Sequence, residues 1–146
     1  AIAYVLSRKG LDVRLVHQSE KLVENRGDYF PDEEYQGILR EHISFIDRAE
    51  GAFSVESGVP VTLDRLRQEL EEDRLVILQI LVDGSVDGRH EKSMHWVLLY
   101  GCDEEGFQVC DPAFGKCSFT DEELKSCMDT PFVSSFISVG KKREGR

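Results

Sequence analysis

A chain of 146 residues with 40% hydrophobic and 32% charged residues has the size and composition of one folded domain with its own core. Its formal net charge of -10 argues against nucleic acid as the partner, because phosphate binding needs a basic footprint. No apolar run approaches the ~18 residues of a membrane span and no secretory leader opens the chain, so the expected location is cytoplasmic.

Ala1 to Lys9 places Ile2, Val5 and Leu6 on one helical stripe, with Gly10 as a C-terminal stop. The chain enters this helix partway and starts without Met, so its N-terminus reads as a truncation or processing point. Leu11 to Val16 alternates as a strand. Gln18 to Asp32 is polar and loop-like, and Glu33 to Ala49, with Ile38, Ile43, Phe45 and Ile46, fits a helix. Gly51 to Pro60 is irregular, or a short strand around Phe53 and Val55. Thr62 caps the clearest helix, in which Leu63, Leu66 and Leu70 form the buried stripe and Asp64, Arg65, Arg67, Gln68 and Glu69 face water. Leu75 to Val82 is apolar on both faces, as a central strand is. Asp83 to Lys92 is a polar loop, followed by a hairpin from His95 to Asp111. Thr120 caps a further helix over Asp121 to Met128 with a Thr-x-x-Glu box, and Phe132 to Val139 is a last strand. The expected whole is one α+β domain over residues 1–140, with a mostly antiparallel sheet and a disordered charged tail at 141–146.

The acidic residues cluster between Glu20 and Glu50 and from Asp64 to Asp73. They read as solvated helix faces, or as a surface that attracts basic partners. Cys102, Cys110, Cys117 and Cys127 contain no CxxC pair, so a zinc knuckle is not expected. A reduced, intracellular state is the first expectation and two disulfides the alternative.

Chemistry concentrates in the hairpin. A base and the group that orients it are the two parts of a proton-transfer device, and rigid neighbouring strands can hold them together. His95 opens one arm and Asp111 closes the other. Pairing Tyr100 with Gly106 sets them opposite each other, and pairing Gly101 with Phe107 sets them diagonally on one face. A four-residue loop between Cys102 and Phe107 puts them on opposite faces; one of the first two registers is expected. Taken singly, His95 is an ordinary strand-edge histidine and Asp111-Pro112 a turn starter.

His95-Trp96 followed by apolar residues, a Gly-Cys-Asp turn, then Asp111-Pro112-Ala113-x-Gly115 resembles the papain-like cysteine peptidase domain that processes bacteriocin leaders in ABC exporters, and its stand-alone relatives. The resemblance covers roughly residues 60 to 139. It implies a papain-like fold and cleavage of a peptide or related amide, with His95 as general base and Asp111 as its orienting partner. The family's nucleophile is a cysteine at a helix N-terminus with a glutamine just ahead, and both would lie upstream of Ala1. The opening helix is then the tail of the nucleophile's helix or the helix after it, and the strand from Leu11 to Val16 favours the second.

Among the chain's own cysteines only Cys117, in a loop near the hairpin's exit, is a candidate substitute. His90 lies in the loop that would rim a substrate cleft, and Trp96 would shield the His–Asp pair, so both are substrate-side candidates. His90 and His95 with Asp111 suggest a metal, but His-x4-His across a loop–strand junction is not a tight ligand pair and no third strong ligand is near in sequence, so no metal or cofactor is expected; His17 and His42 read as incidental. The rival expectation is a peptidase-like module that has lost catalysis and binds a protein or peptide. A eukaryotic family labelled guanylyl-cyclase-like carries a similar His…Asp-Pro hairpin, without support here from a phosphate loop or paired metal carboxylates.

Overall fold

Residues 2–18, 51–82, 93–129 and 135–142 are described by the computed structural model of the chain. They form an α+β fold in the order α1 (Ile2–Arg8), β1 (Leu11–His17), β2 (Ser54–Glu56), α2 (Leu63–Glu71), β3 (Leu75–Val82), β4 (Ser93–Cys102), β5 (Gly106–Asp111), β6 (Gly115–Thr120), α3 (Asp121–Met128) and β7 (Ser135–Lys142). The expected helix from Glu33 to Ala49 and the loop holding His90 fall outside the described residues.

The seven strands make one mixed sheet, ordered β2-β1-β7-β3-β4-β5-β6. Only β1 and β2 pair in parallel; the other neighbours are antiparallel. Strands β3 to β6 follow one another as a meander. β7, the last described strand in sequence, slots between β1 and β3, so the first and last described strands are neighbours.

Local signals set the element ends. Gly10 takes φ +82° after α1, a conformation that costs glycine little. The Thr62 hydroxyl accepts from the Arg65 N–H at 3.1 Å and the Thr120 hydroxyl accepts from the Glu123 N–H at 3.2 Å, so both expected caps form. Strand alternation then sorts side chains between two faces. Val76, Leu78 and Ile80 of β3, Val97 and Leu99 of β4, and Phe107 and Val109 of β5 share a core with Leu66 of α2 and Leu124 of α3. Each fully buried Leu there contributes roughly 1.5–3 kcal/mol. A smaller cluster of Ala3, Val13 and Ile137 sits beneath α1 on the other face.

Three expectations need correcting. Glu69 does not face water: it is 1% exposed. Its carboxylate accepts from Arg14 Nη1 at 2.9 Å, Arg65 Nε at 2.9 Å and the Ser138 hydroxyl at 2.5 Å, with Arg74 Nε at 3.3 Å. Burial alone would raise the Glu69 pKa. The Ser138 and Arg65 hydrogen bonds and the Arg14 charge outweigh it, and the carboxyl titrates below its ordinary range. Cys117 is not in a loop but in β6, opposite Val109. Lys141 and Lys142 belong to β7 rather than to a tail, because Leu11 of β1 extends the ladder to Lys142. Among the described residues no helix is long and apolar enough to cross a membrane.

Candidate functional site

β4 enters the sheet with His95 opposite Ile80 and runs out to Cys102. The turn to β5 is closed by Asp103, whose side chain accepts from the N–H groups of Glu105 at 2.9 Å and Gly106 at 3.1 Å. Next to this turn Cys102 pairs with Phe107 and Gly101 with Gln108. This is the register that places His95 and Asp111 on opposite faces. The ladder does not keep it. Leu99 pairs with Val109 and Leu98 with Cys110, so Tyr100 is an extra residue, a β-bulge. One added residue reverses the side-chain parity of everything beyond it. Carried one step on, the corrected register sets Asp111 beside Val97, diagonal to His95 and on the same face.

The two side chains meet, with His95 Nε2 3.0 Å from Asp111 Oδ1. The imidazole keeps 21% exposure while the carboxylate is 4% exposed. Asp111 also starts the turn into β6: its Oδ1 accepts from the N–H groups of Ala113 at 2.7 Å and Phe114 at 3.3 Å. The three-residue connection ends at Gly115, φ +85°, where a left-handed residue closes such a hairpin. Turn starter and imidazole partner are thus one residue in both roles. Burial would raise the Asp111 pKa, but the His95 hydrogen bond and the two backbone N–H groups prevail and hold the carboxyl below its ordinary range.

An ionised carboxylate only accepts hydrogen bonds. In the neutral imidazole the proton therefore belongs on Nε2, facing Asp111, and the basic lone pair on Nδ1.

The other candidates separate from this pair. Trp96 is opposite Gln79 and on the other face of β4 from His95, so it does not cover the pair. His90 is outside the described residues. Cys110 alternates away from Asp111, and Cys127 is buried in α3. Cys102 and Cys110 are free thiols, which excludes the arrangement of two disulfides. Burial raises the Cys102 pKa, nearby Glu71, Asp103 and Asp121 add to the rise, and Arg67 opposes it, so this thiol is not activated. Cys117 does share the face of Asp111, but it sits two strands across and four residues along from His95, about 16 Å by strand geometry. That is far beyond proton-transfer reach.

Two parts of the site were faint or unmarked in the sequence. The Ala113 and Phe114 N–H groups that grip Asp111 were signalled only by the Asp-Pro pair, and nothing in the pattern marks the bulge at Tyr100. Among the described residues no three His, Cys, Asp or Glu side chains gather as a metal site. The chain matches no protein-family model, no curated protein and no solved structure.

Proposed function

We propose that this chain is the histidine- and aspartate-bearing part of a papain-like thiol hydrolase that cleaves a peptide or related amide. The observation that carries the reading is the 3.0 Å contact between His95 Nε2 and a buried Asp111 carboxylate held ionised by three donors. Such a partner suits a general base, because the carboxylate fixes the tautomer and stabilises the imidazolium that forms.

The nucleophile in this reading is a cysteine supplied from ahead of Ala1. His95 Nδ1 takes the thiol proton and the thiolate attacks the amide carbon. The resulting tetrahedral intermediate collapses as Nδ1–H gives its proton to the departing amine. Water, deprotonated by the same nitrogen, then hydrolyses the thioester and restores the thiol. Asp111 stays ionised throughout. The rival reading, a peptidase-like module that binds without cutting, is favoured by one fact: none of the chain's four cysteines is placed to serve as the nucleophile.

Thiol alkylation of the full-length protein separates the two. A single upstream cysteine that labels fast at neutral pH, and roughly 10²–10⁴-fold more slowly after His95→Ala, is the hydrolase outcome. Slow labelling indifferent to His95 means a binding module.

A further inference from the structure

Several elements begin or finish at the end of the sheet that holds the His95–Asp111 pair. β1 and β3 are both antiparallel to β7, so they run the same way, and β1 finishes at the end where β4 begins with His95. α2 is joined to β3 by only three residues, 72–74, so it starts toward that end. α3 departs from the far end of β6 and returns. A cleft of about 440 Å³ lies where these ends meet. That volume lies within the ordinary range of ligand pockets.

The lining divides by chemistry. Val61, Leu63 and Met128 are half-buried and supply an apolar wall. Among the described residues, Asp64 in the first turn of α2 and Asp129 at the end of α3 are exposed and supply two carboxylates against the ammonium of Lys125. The walls are held in place. The Ser57 hydroxyl bonds His17 Nε2 at 2.8 Å and the Val59 N–H donates to the His17 carbonyl at 3.2 Å, which ties the segment leading to Val61 onto β1. Arg67 grips the Asp121 carboxylate with two hydrogen bonds, at 2.9 and 2.6 Å, and so joins α2 to α3.

An apolar wall with a net acidic rim fits a long aliphatic stem ending in a cation. The chain's net charge of -10 adds a long-range attraction for such a group. The cleft includes Gln18, which follows β1, and β1 stands three strand positions from β4. At ~4.8 Å per strand that is about 14 Å, or roughly four residues of extended peptide at ~3.4 Å each. We propose that this cleft binds a lysine or arginine side chain of a peptide, roughly three to five residues from the amide presented to His95. The role as a substrate subsite rests on the hydrolase reading above; the basic specificity does not.

The test uses acetylated nonapeptides of glycine and alanine with lysine, norleucine or glutamate at the fourth position, titrated into the ¹⁵N-labelled full-length protein. The lysine peptide should bind on the order of 10-fold more tightly than the norleucine peptide at low salt, and shift the amides of Gln18, Thr62 and Lys125. Asp64→Asn combined with Asp129→Asn should erase that preference while the spectrum stays dispersed, and Lys125→Glu should enlarge it. Equal affinity for lysine and norleucine, or shifts that map elsewhere, overturns the inference. In turnover the cut should follow the lysine when it is moved along the peptide, and a cut that ignores it overturns the spacing. Lysine-selective binding with neither cleavage nor thiol labelling dependent on His95 defeats the hydrolase reading and leaves the lysine-binding cleft standing.

Discussion

His95 and Asp111 meet on the diagonal of the β4–β5 ladder, and the pair shares a face only because Tyr100 is one residue too many for the strand opposite. Deleting Tyr100 while keeping the turn turns His95 toward the other face and breaks the bond to Asp111. Tyr100→Ala keeps the residue count and with it the bond. Long-range ¹H–¹⁵N NMR of the His95 ring reads the difference: the alanine variant retains the Nε2–H tautomer and the deletion loses it. Retention of that tautomer in the deletion variant refutes the assignment of the bulge.

Asp111 carries a charge and a turn together, and two substitutions separate them. Asp111→Asn keeps an oxygen for the Ala113 and Phe114 N–H groups but no longer offsets the imidazolium charge. Full-length thiol reactivity then drops roughly 10-fold, the difference between a charge-assisted and a neutral hydrogen bond, with little change in Tm. Asp111→Ala also orphans two backbone donors and costs about 1–3 kcal/mol of stability.

The sign of the pH effect follows from the depressed pKa. The folded Asp111 carboxyl titrates below its unfolded value of about 3.9. Its contribution to stability is complete above that value and disappears as pH falls through the lower, folded pKa. Glu69, also depressed, behaves in the same direction. Acid titration of the unfolding free energy should therefore show a loss below about pH 4 that Asp111→Asn reduces. An unchanged acid limb counts against the coupling.

Among the described residues Glu69 is the most buried charged side chain, at 1% exposure. Removing one partner of a buried ionic cluster strands the others. Glu69→Ala, which leaves Arg14, Arg65 and Arg74 around an empty position, is expected to cost about 3–5 kcal/mol. Denaturant unfolding measures it, and a cost under about 1 kcal/mol would show the cluster to be solvated like a surface pair.

Gly106 opens β5 with the Phe119 carbonyl oxygen where a Cβ would sit, and that oxygen is backbone. Gly106→Ala must push β6 outward, at roughly 1–3 kcal/mol. Because Arg67 also donates to the Asp103 carbonyl in the same turn, the shift should appear in the amide resonances of Asp103 as well as those of Phe119.

Periodicity made most elements legible. β3 is apolar on both faces because it lies at the centre of the sheet, and the two Thr caps announce α2 and α3. The pairing of His95 with Asp111 was legible as a spacing, but the reason it works was not. The turn takes the unfavourable register, and a bulge with no sequence mark corrects it. Glu69 misled because two of its partners, Arg14 and Ser138, are distant in sequence and meet it only after β1 and β7 have aligned. A helix wheel records which residues are polar, and not which of them will find a buried counter-charge. β6 was missed because Lys116, Ser118 and Thr120 give it one polar side, and Cys117 and Phe119 alone are too brief a pattern.

The central seat of β7 orders the chain's assembly in time. During synthesis β1 with β2, and the β3–β6 meander, emerge before the strand that joins them exists. Until Ser135–Lys142 arrives, β1 and β3 each present an open edge. Ser138 donates to the Glu69 carboxylate in the same step, so the arrival of β7 both closes the gap between β1 and β3 and adds a hydrogen bond to a buried charge.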